Sequence, residues 1–170
     1  FPWVFRALAG SRRHTIINAA NLDRIDEVRA TLVPRSSDAP YTLAAVGRFV
    51  PVKNMMAVIH AFATAFPAGD NARLLVISDG PLRGEIEAEI ARQNLTDRVM
   101  LTGLISREET LMHLLNADAY FSTSKGEGLP IAVLEAMGSD CPVVMSDIPP
   151  HRDIAVHAPE FLPLVDADDI

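Results

Sequence analysis

The chain has 170 residues, the size of one domain with one full core. With 49% hydrophobic and 22% charged residues, 9 Gly and 12 Pro, it is globular, which excludes collagen, coiled coil and wholesale disorder. Lys and Arg number 15 against 22 Asp and Glu, and the net charge of −7 disfavours nucleic acid and anionic lipid, leaving small, locally held anions as charged ligands.

Residues 1–10 are apolar but broken by Pro2 and Arg6, too short to span a bilayer and without a signal-peptide layout. The single cysteine, Cys141, cannot close an intrachain disulfide, and cytoplasmic localisation is the expectation. Phe at position 1 and a helix-like opening at residues 165–170 are what a piece of a longer protein would show.

Residues 1–40 read as a connector from an absent upstream domain: loops at Ser11-Arg12-Arg13 and residues 34–40 flank a short helical stretch with apolar Leu22, Ile25, Val28 and Leu32. Residues 41–170 form the domain proper. Strands are predicted at residues 42–46, 74–77, 99–101, 119–121 and 143–146, and helices at 54–66, 82–93, 108–116 and 130–137. The strands are continuous apolar runs, as in a parallel sheet covered by helices on both faces, so the class is α/β. Ser106 with Glu109 makes a capping box, and Pro81 and Pro130 suit helix starts. Residues 161–165 supply a sixth strand, with Pro149-Pro150 as the turn before it.

In such sheets ligands bind beyond the carboxyl ends of the strands. After the first strand, Arg48 and Lys53 place two cations in one loop, either converging on an anion or solvated separately. Ser78-Asp79-Gly80-Pro81 follows the second strand; Gly80 permits close backbone approach, toward a ligand or within an ordinary turn. Ser122-Thr123-Ser124-Lys125-Gly126-Glu127-Gly128-Leu129-Pro130 runs into a helix start, an anion site whose free amides would be those of Gly128, Leu129 and Ile131. Glu127 either faces hydroxyls or caps the helix dipole. Glu135 interrupts an otherwise apolar helix, and either binds vicinal ribose hydroxyls or lies on an outward polar stripe. His14, His60, His113, His151 and His157 lack metal-ligand spacing and read as surface or core residues, and Asp166-Ala167-Asp168 reads as a helix N-cap. No nucleophile elbow, P-loop or complete Gly-x-Gly-x-x-Gly is present.

Gly47-Arg48 with Lys53-Asn54, Ser78-Asp79-Gly80-Pro81, Leu101-Thr102-Gly103, and Glu127-Gly128-Leu129-Pro130 running to Glu135-Ala136-Met137 and Pro142-Val143-Val144 together resemble one family. In that order they are similar to the donor-binding lobe of retaining glycosyltransferases of the GT-B fold (group 1, family 4 type), with Glu127 and Glu135 at the family's Glu-x7-Glu spacing. The resemblance covers residues 15–170. It implies a Rossmann-like doubly wound parallel sheet of five to six strands, one lobe of two, truncated at its C-terminus. It also implies a UDP-, GDP- or ADP-sugar donor, with no cofactor and no metal. The diphosphate would lie on Arg48, Lys53 and the amides near Gly128 and Leu129, with Gly80 lining the donor site. Glu127 would contact the sugar, Glu135 the ribose, and the backbone of Leu104 and Ile105 the base. A glycan, lipid-linked or small-molecule acceptor would belong to the missing lobe, and with it any peripheral membrane association of the full-length protein. The fragment alone would bind donor and transfer little. Ser78 and Asp140 stand where the family usually has Gly. A non-catalytic nucleotide-binding or interaction module of the same fold is the alternative. A receiver-like signalling domain would need clustered acids where Arg48 and Gly103 stand.

Overall fold

Six strands, all paired in parallel, form one sheet in the computed structural model, which describes residues 19–156 and the strand at 164–165. They are β1 (Tyr41–Val46), β2 (Ala72–Ile77), β3 (Val99–Leu101), β4 (Ala119–Ser122), β5 (Val143–Ser146) and β6 (Leu164–Val165). The order is β3-β2-β1-β4-β5-β6, so the chain winds outward from β1 to one edge and then returns to β1's other side at β4. This is the doubly wound α/β architecture expected from the alternating pattern.

The helices are α1 (Leu22–Arg29), α2 (Met55–Ala65), α3 (Arg83–Arg92), α4 (Arg107–Leu115), α5 (Ile131–Gly138) and α6 (Pro149–Ala155). Successive β1 side chains point to opposite faces, which is why the run has no polar alternation. Leu43 and Ala45 join Val58, Ile59 and Phe62 of α2 and Ile86 and Ile90 of α3 in one core. Ala44 joins Tyr120, Val133, Ala136 and Met145 in the other. Cys141 belongs to that second core, and burial pushes its thiol up to about 12.

Helix α1 is capped by Asn21, whose side chain accepts from the Arg24 amide at 3.0 Å, and it buries Ile25 and Val28 against Leu111 of α4. Each such burial contributes about 1.5 to 3 kcal/mol as an upper figure. Arg29 then bonds the Gly138 carbonyl at 3.2 Å and pairs with Asp140 at 2.9 Å, bracing the end of α5.

Several boundaries differ from those expected of the sequence. Asn54, Phe66, Leu82, Gln93, Asn116 and Pro130 are helix caps, not helix interior. Pro149-Pro150 does not form a turn; it opens α6, because proline lacks the N–H that a first helical turn leaves unpaired anyway. Pro81 lies two residues ahead of α3, since the Leu82 amide donates to the Phe49 carbonyl at 3.1 Å and holds the turn outside the helix. The strand expected at residues 161–165 is seen at Leu164–Val165, paired with β5, and its earlier residues lie outside the described part, as do His14, His157 and Asp166-Ala167-Asp168. The Ser106–Glu109 capping box is present in both directions. Among the described residues no helix is long and apolar enough to cross a membrane.

The loops after β1 and β2 are stitched to each other. The Gly47 amide donates to the Ile77 carbonyl at 3.1 Å and that of Phe49 to the Asp79 carbonyl at 3.0 Å. A Cβ on Gly80 would sit 2.6 Å from the Phe49 carbonyl oxygen and 2.7 Å from its nitrogen. The close approach that Gly80 permits is therefore that of Phe49's own backbone. Gly80→Ala is expected to destabilise the chain by about 2 to 3 kcal/mol, because rigid backbone must move. Gly84, where an added Cβ meets nothing within 4 Å, should gain up to about 1 kcal/mol as Ala. Urea unfolding midpoints of the two variants check this, and equal shifts would contradict it.

Candidate functional site

Strand order reverses between β1 and β4, so the loops leaving these neighbours diverge and open a crevice at their carboxyl ends. The β1 loop runs through a 3-10 turn, Pro51–Lys53, into Asn54, whose left-handed φ of 51° turns the chain into α2. The β4 loop lies against it: the Thr123 hydroxyl donates to the Asn54 carbonyl at 2.9 Å, and the Lys125 amide to the Val52 carbonyl at 2.8 Å. Between them is a cavity of about 250 Å³ whose lining includes Arg48, Lys53, Tyr120, Glu127, Leu129 and Ile131. A second hollow, about 470 Å³, is lined by Arg48, Ser78, Asp79, Gly80 and Leu104, so Arg48 borders both.

The two cations are not equivalent. Lys53 Nζ lies 2.5 Å from Glu127 Oε1, and the Ser124 hydroxyl donates to the same oxygen at 2.6 Å. Arg48 is exposed, and among the described residues its guanidinium has no partner. Both line one cavity, and Lys53 is paired there with Glu127.

Glu127 is engaged by Lys53 and Ser124, not by helix amides, so dipole capping is not its contact in this structure. No side chain caps α5. The Ile131 amide is not free, contrary to expectation, because it donates to the Leu129 carbonyl at 2.9 Å. Among the described residues the amides of Gly128, Leu129 and Ala132 make no hydrogen bond, and an added Cβ at Gly128 would meet nothing within 4 Å. Among the described residues nothing meets a Cβ at Gly128, in front of this helix start.

Glu135 does not lie on an outward stripe. It is 6% exposed, beside the buried Val133 and Ala136, because the helix packs that whole face inward. Arg107 Nη2, from the first turn of α4, stands 2.6 Å from Glu135 Oε1. Among the described residues this ion pair is the contact recorded for the Glu135 carboxylate. Burial first, and then the charges of Glu127 and Glu135, raise the pKa of the Tyr120 phenol; Tyr120 and Glu127 line the cavity, and Glu135 does not. Leu104, 81% exposed, and the half-buried Ile105 sit on the loop before α4.

Residues 33–162 match the sequence model of the family described as Glycosyl transferases group 1. The chain belongs to this family. An alpha-monoglucosyldiacylglycerol synthase of Streptococcus pneumoniae is 30% identical over 122 residues, covering 72% of this chain and 27% of that protein. A 2-deoxystreptamine glucosyltransferase of Streptomyces kanamyceticus is 34% identical over 98 residues, covering 58% and 25%. The chain thus spans about a quarter of the length of these relatives. Among solved structures, WaaG, a glycosyltransferase involved in lipopolysaccharide biosynthesis, superposes with a TM-score of 0.72 at 17% identity over 92% of this chain and 44% of its own. Anabaena HepE in complex with UDP and glucose gives 0.71 at 19% identity over 91% and 44%. These two show the shared GT-B lobe fold.

Ser78 and Asp140, neither of them glycine, hold left-handed backbone in this group 1 lobe, at φ 121° and φ 56°. Such strain costs about 1 to 3 kcal/mol per residue, and at Asp140 the Arg29 pair offsets part of it. Two residues of the site carried no signal in the sequence: Arg107, which belongs to no motif, and Tyr120, which looks like ordinary strand filling. His151, expected at the surface or in the core, is core, at 0% exposure. Its Nδ1–H donates to the Ser146 carbonyl at 2.9 Å, which leaves Nε2 to accept from the Ser122 hydroxyl at 3.3 Å. The Ser146 hydroxyl in turn donates to the Ser124 carbonyl at 2.5 Å, so α6 props the loop that carries Glu127.

Burial holds the His151 pKa below its ordinary 6.5, against the opposing effects of the Ser146 bond and Glu127. The unfolded chain therefore takes up this proton first as pH falls. The stabilising contribution is complete above about pH 6.5 and is lost as pH drops toward the folded value. His151→Gln should flatten the pH dependence of the urea midpoint between about pH 6.5 and 5. An unchanged slope would remove His151 from this role.

Proposed function

We propose that this lobe binds a nucleoside-diphosphate sugar across the β1–β4 crevice and serves a retaining transfer of the sugar to an acceptor held by another lobe. The observation that carries the reading is the convergence, on one cavity, of Arg48, Lys53, the uncapped start of α5 and Glu127. Buried Glu135 stands a helical turn farther on, paired with Arg107. Cations and helix amides suit a diphosphate; a carboxylate with lone pairs beyond those its ion pair uses suits a diol.

In this reading Arg48 closes on the diphosphate, and Lys53 exchanges Glu127 for a phosphate oxygen. Glu127, released, accepts from a sugar hydroxyl, while Glu135 takes the ribose hydroxyls. The base lies by Leu104 and Ile105. As the sugar departs, the two cations stabilise charge growing on the leaving oxygen, and no metal ion is required. The complexes of the structural relatives HepE, and TarM of S. aureus, with UDP support a nucleoside diphosphate as the ligand class.

Calorimetric titration of the chain with UDP-, GDP- and ADP-sugars should give saturable heat with at least one, and its absence with all three would refute the proposal. Glu135→Ala should weaken nucleoside diphosphate binding by about 2 kcal/mol, roughly 30-fold. Arg48→Ala and Lys53→Ala should weaken the diphosphate but leave the affinity for the free nucleoside unchanged. Transfer by the full-length protein separates an enzyme from a binding module of the same fold.

A further inference from the structure

We infer that Arg107 is a donor-positioning residue: it holds the Glu135 carboxylate oriented for the ribose, so that preference for ribonucleotides over 2′-deoxyribonucleotides depends on the Arg107–Glu135 pair. The inference rests on the reading of Glu135 as the ribose ligand, and goes beyond it by assigning a role to a residue on another helix.

Three observations carry it. Glu135 is 6% exposed and, among the described residues, Arg107 is its ion-pair partner. A buried carboxylate that loses its charge partner sheds its charge by taking a proton or turns away toward water. Arg107 Nη2 reaches Oε1, and the Arg107 side chain is itself 58% exposed. A carboxylate has about four lone-pair sites, enough to hold a guanidinium and still accept from hydroxyl donors.

The second observation is that Arg107 stands at the wrong end of its helix for stability. It is the first residue of α4, where the helix dipole favours anions, as Glu108 and Glu109 beside it illustrate. Its cation is explained by what it reaches, a carboxylate on α5.

Third, the geometry of the pair is built in. The Ser106–Glu109 capping box fixes the first turn of α4, with Ser106 Oγ accepting from the Glu109 amide at 3.1 Å. Helix α1 ties both helices together, through Arg24 to Glu108, through Ile25 and Val28 to Leu111, and through Arg29 to the Gly138 carbonyl and Asp140. Arg107 also lies three residues beyond Leu104, so one short segment carries both the base-side loop and the cation that sets the ribose ligand.

The test measures a ratio. The full chain is titrated with UDP, GDP and ADP and with their 2′-deoxy counterparts, and the tightest-binding base is carried forward. The wild-type chain should prefer the ribonucleotide by about tenfold or more, and Glu135→Ala should bring the ratio close to one. Arg107→Gln and Arg107→Met should each cut the ratio about five- to tenfold while moving the 2′-deoxynucleotide affinity less than about twofold. Arg107→Lys, which keeps the charge without the planar fork, should recover part of it. A merely structural role would weaken both nucleotides alike and leave the ratio intact, with melting curves reporting any loss of fold. A wild-type ratio in both Arg107→Gln and Arg107→Met, with Glu135→Ala having lost it, overturns the inference alone. A wild-type ratio in Glu135→Ala, or no binding of any nucleotide, overturns the ribose reading and the inference with it.

Discussion

The ion pair between Lys53 and Glu127 ties together the two loops on which the candidate site is built. Its partners come from the ends of adjacent strands that are far apart in sequence, and each alone would be a poorly solvated charge at a cavity wall. Desolvation offsets much of the attraction in such a pair, so its worth lies in specificity of placement more than in stability. It is also exchangeable. Hydroxyl-to-carbonyl hydrogen bonds from Thr123 to Asn54 and from Ser146 to Ser124 hold both loops without using the Lys53 and Glu127 side chains.

Around this pair the lobe separates surfaces that must be packed from surfaces that must stay open. Gly80 is filled by Phe49's backbone, whereas the space at Gly128 is left empty at an uncapped helix start. Strain at Ser78 and Asp140 shows that left-handed backbone persists there without glycine, so the loop conformations are set by tertiary contacts. His151 contributes from the opposite side, with a buried, neutral ring that supports the Glu127 loop through serines.

Membership of the glycosyl transferases group 1 family and the doubly wound fold fit one physical plan. Reversal of strand order at β1 and β4 makes the crevice; helix α1 sets the spacing of α4 and α5 and so of Arg107 and Glu135. The latter arrangement spans three helices, which is why the residue supporting Glu135 lies neither in its helix nor in either glutamate's motif.

The sequence by itself determined the α/β class, the five main strands, the helices between them, and the capping box at Ser106 and Glu109. All of these come from local periodicity, capping chemistry and backbone preference, which act over a few residues. It also marked Arg48, Lys53, Glu127 and Glu135 as charges in the right loops or in an apolar helix. Which charges meet was decided only by the tertiary structure. Lys53 with Glu127, Arg107 with Glu135, Phe49 filling the space at Gly80, and the taken amide of Ile131 depend on strand order, helix spacing or loop path. The proline pair at 149–150 shows the same limit, since a residue without an N–H serves a turn or a helix start equally, and the path of the chain beyond it decides between them. Local patterns fix what a segment is; distances between segments, and hence ion pairs and cavities, exist only once the sheet has brought distant loops to one edge.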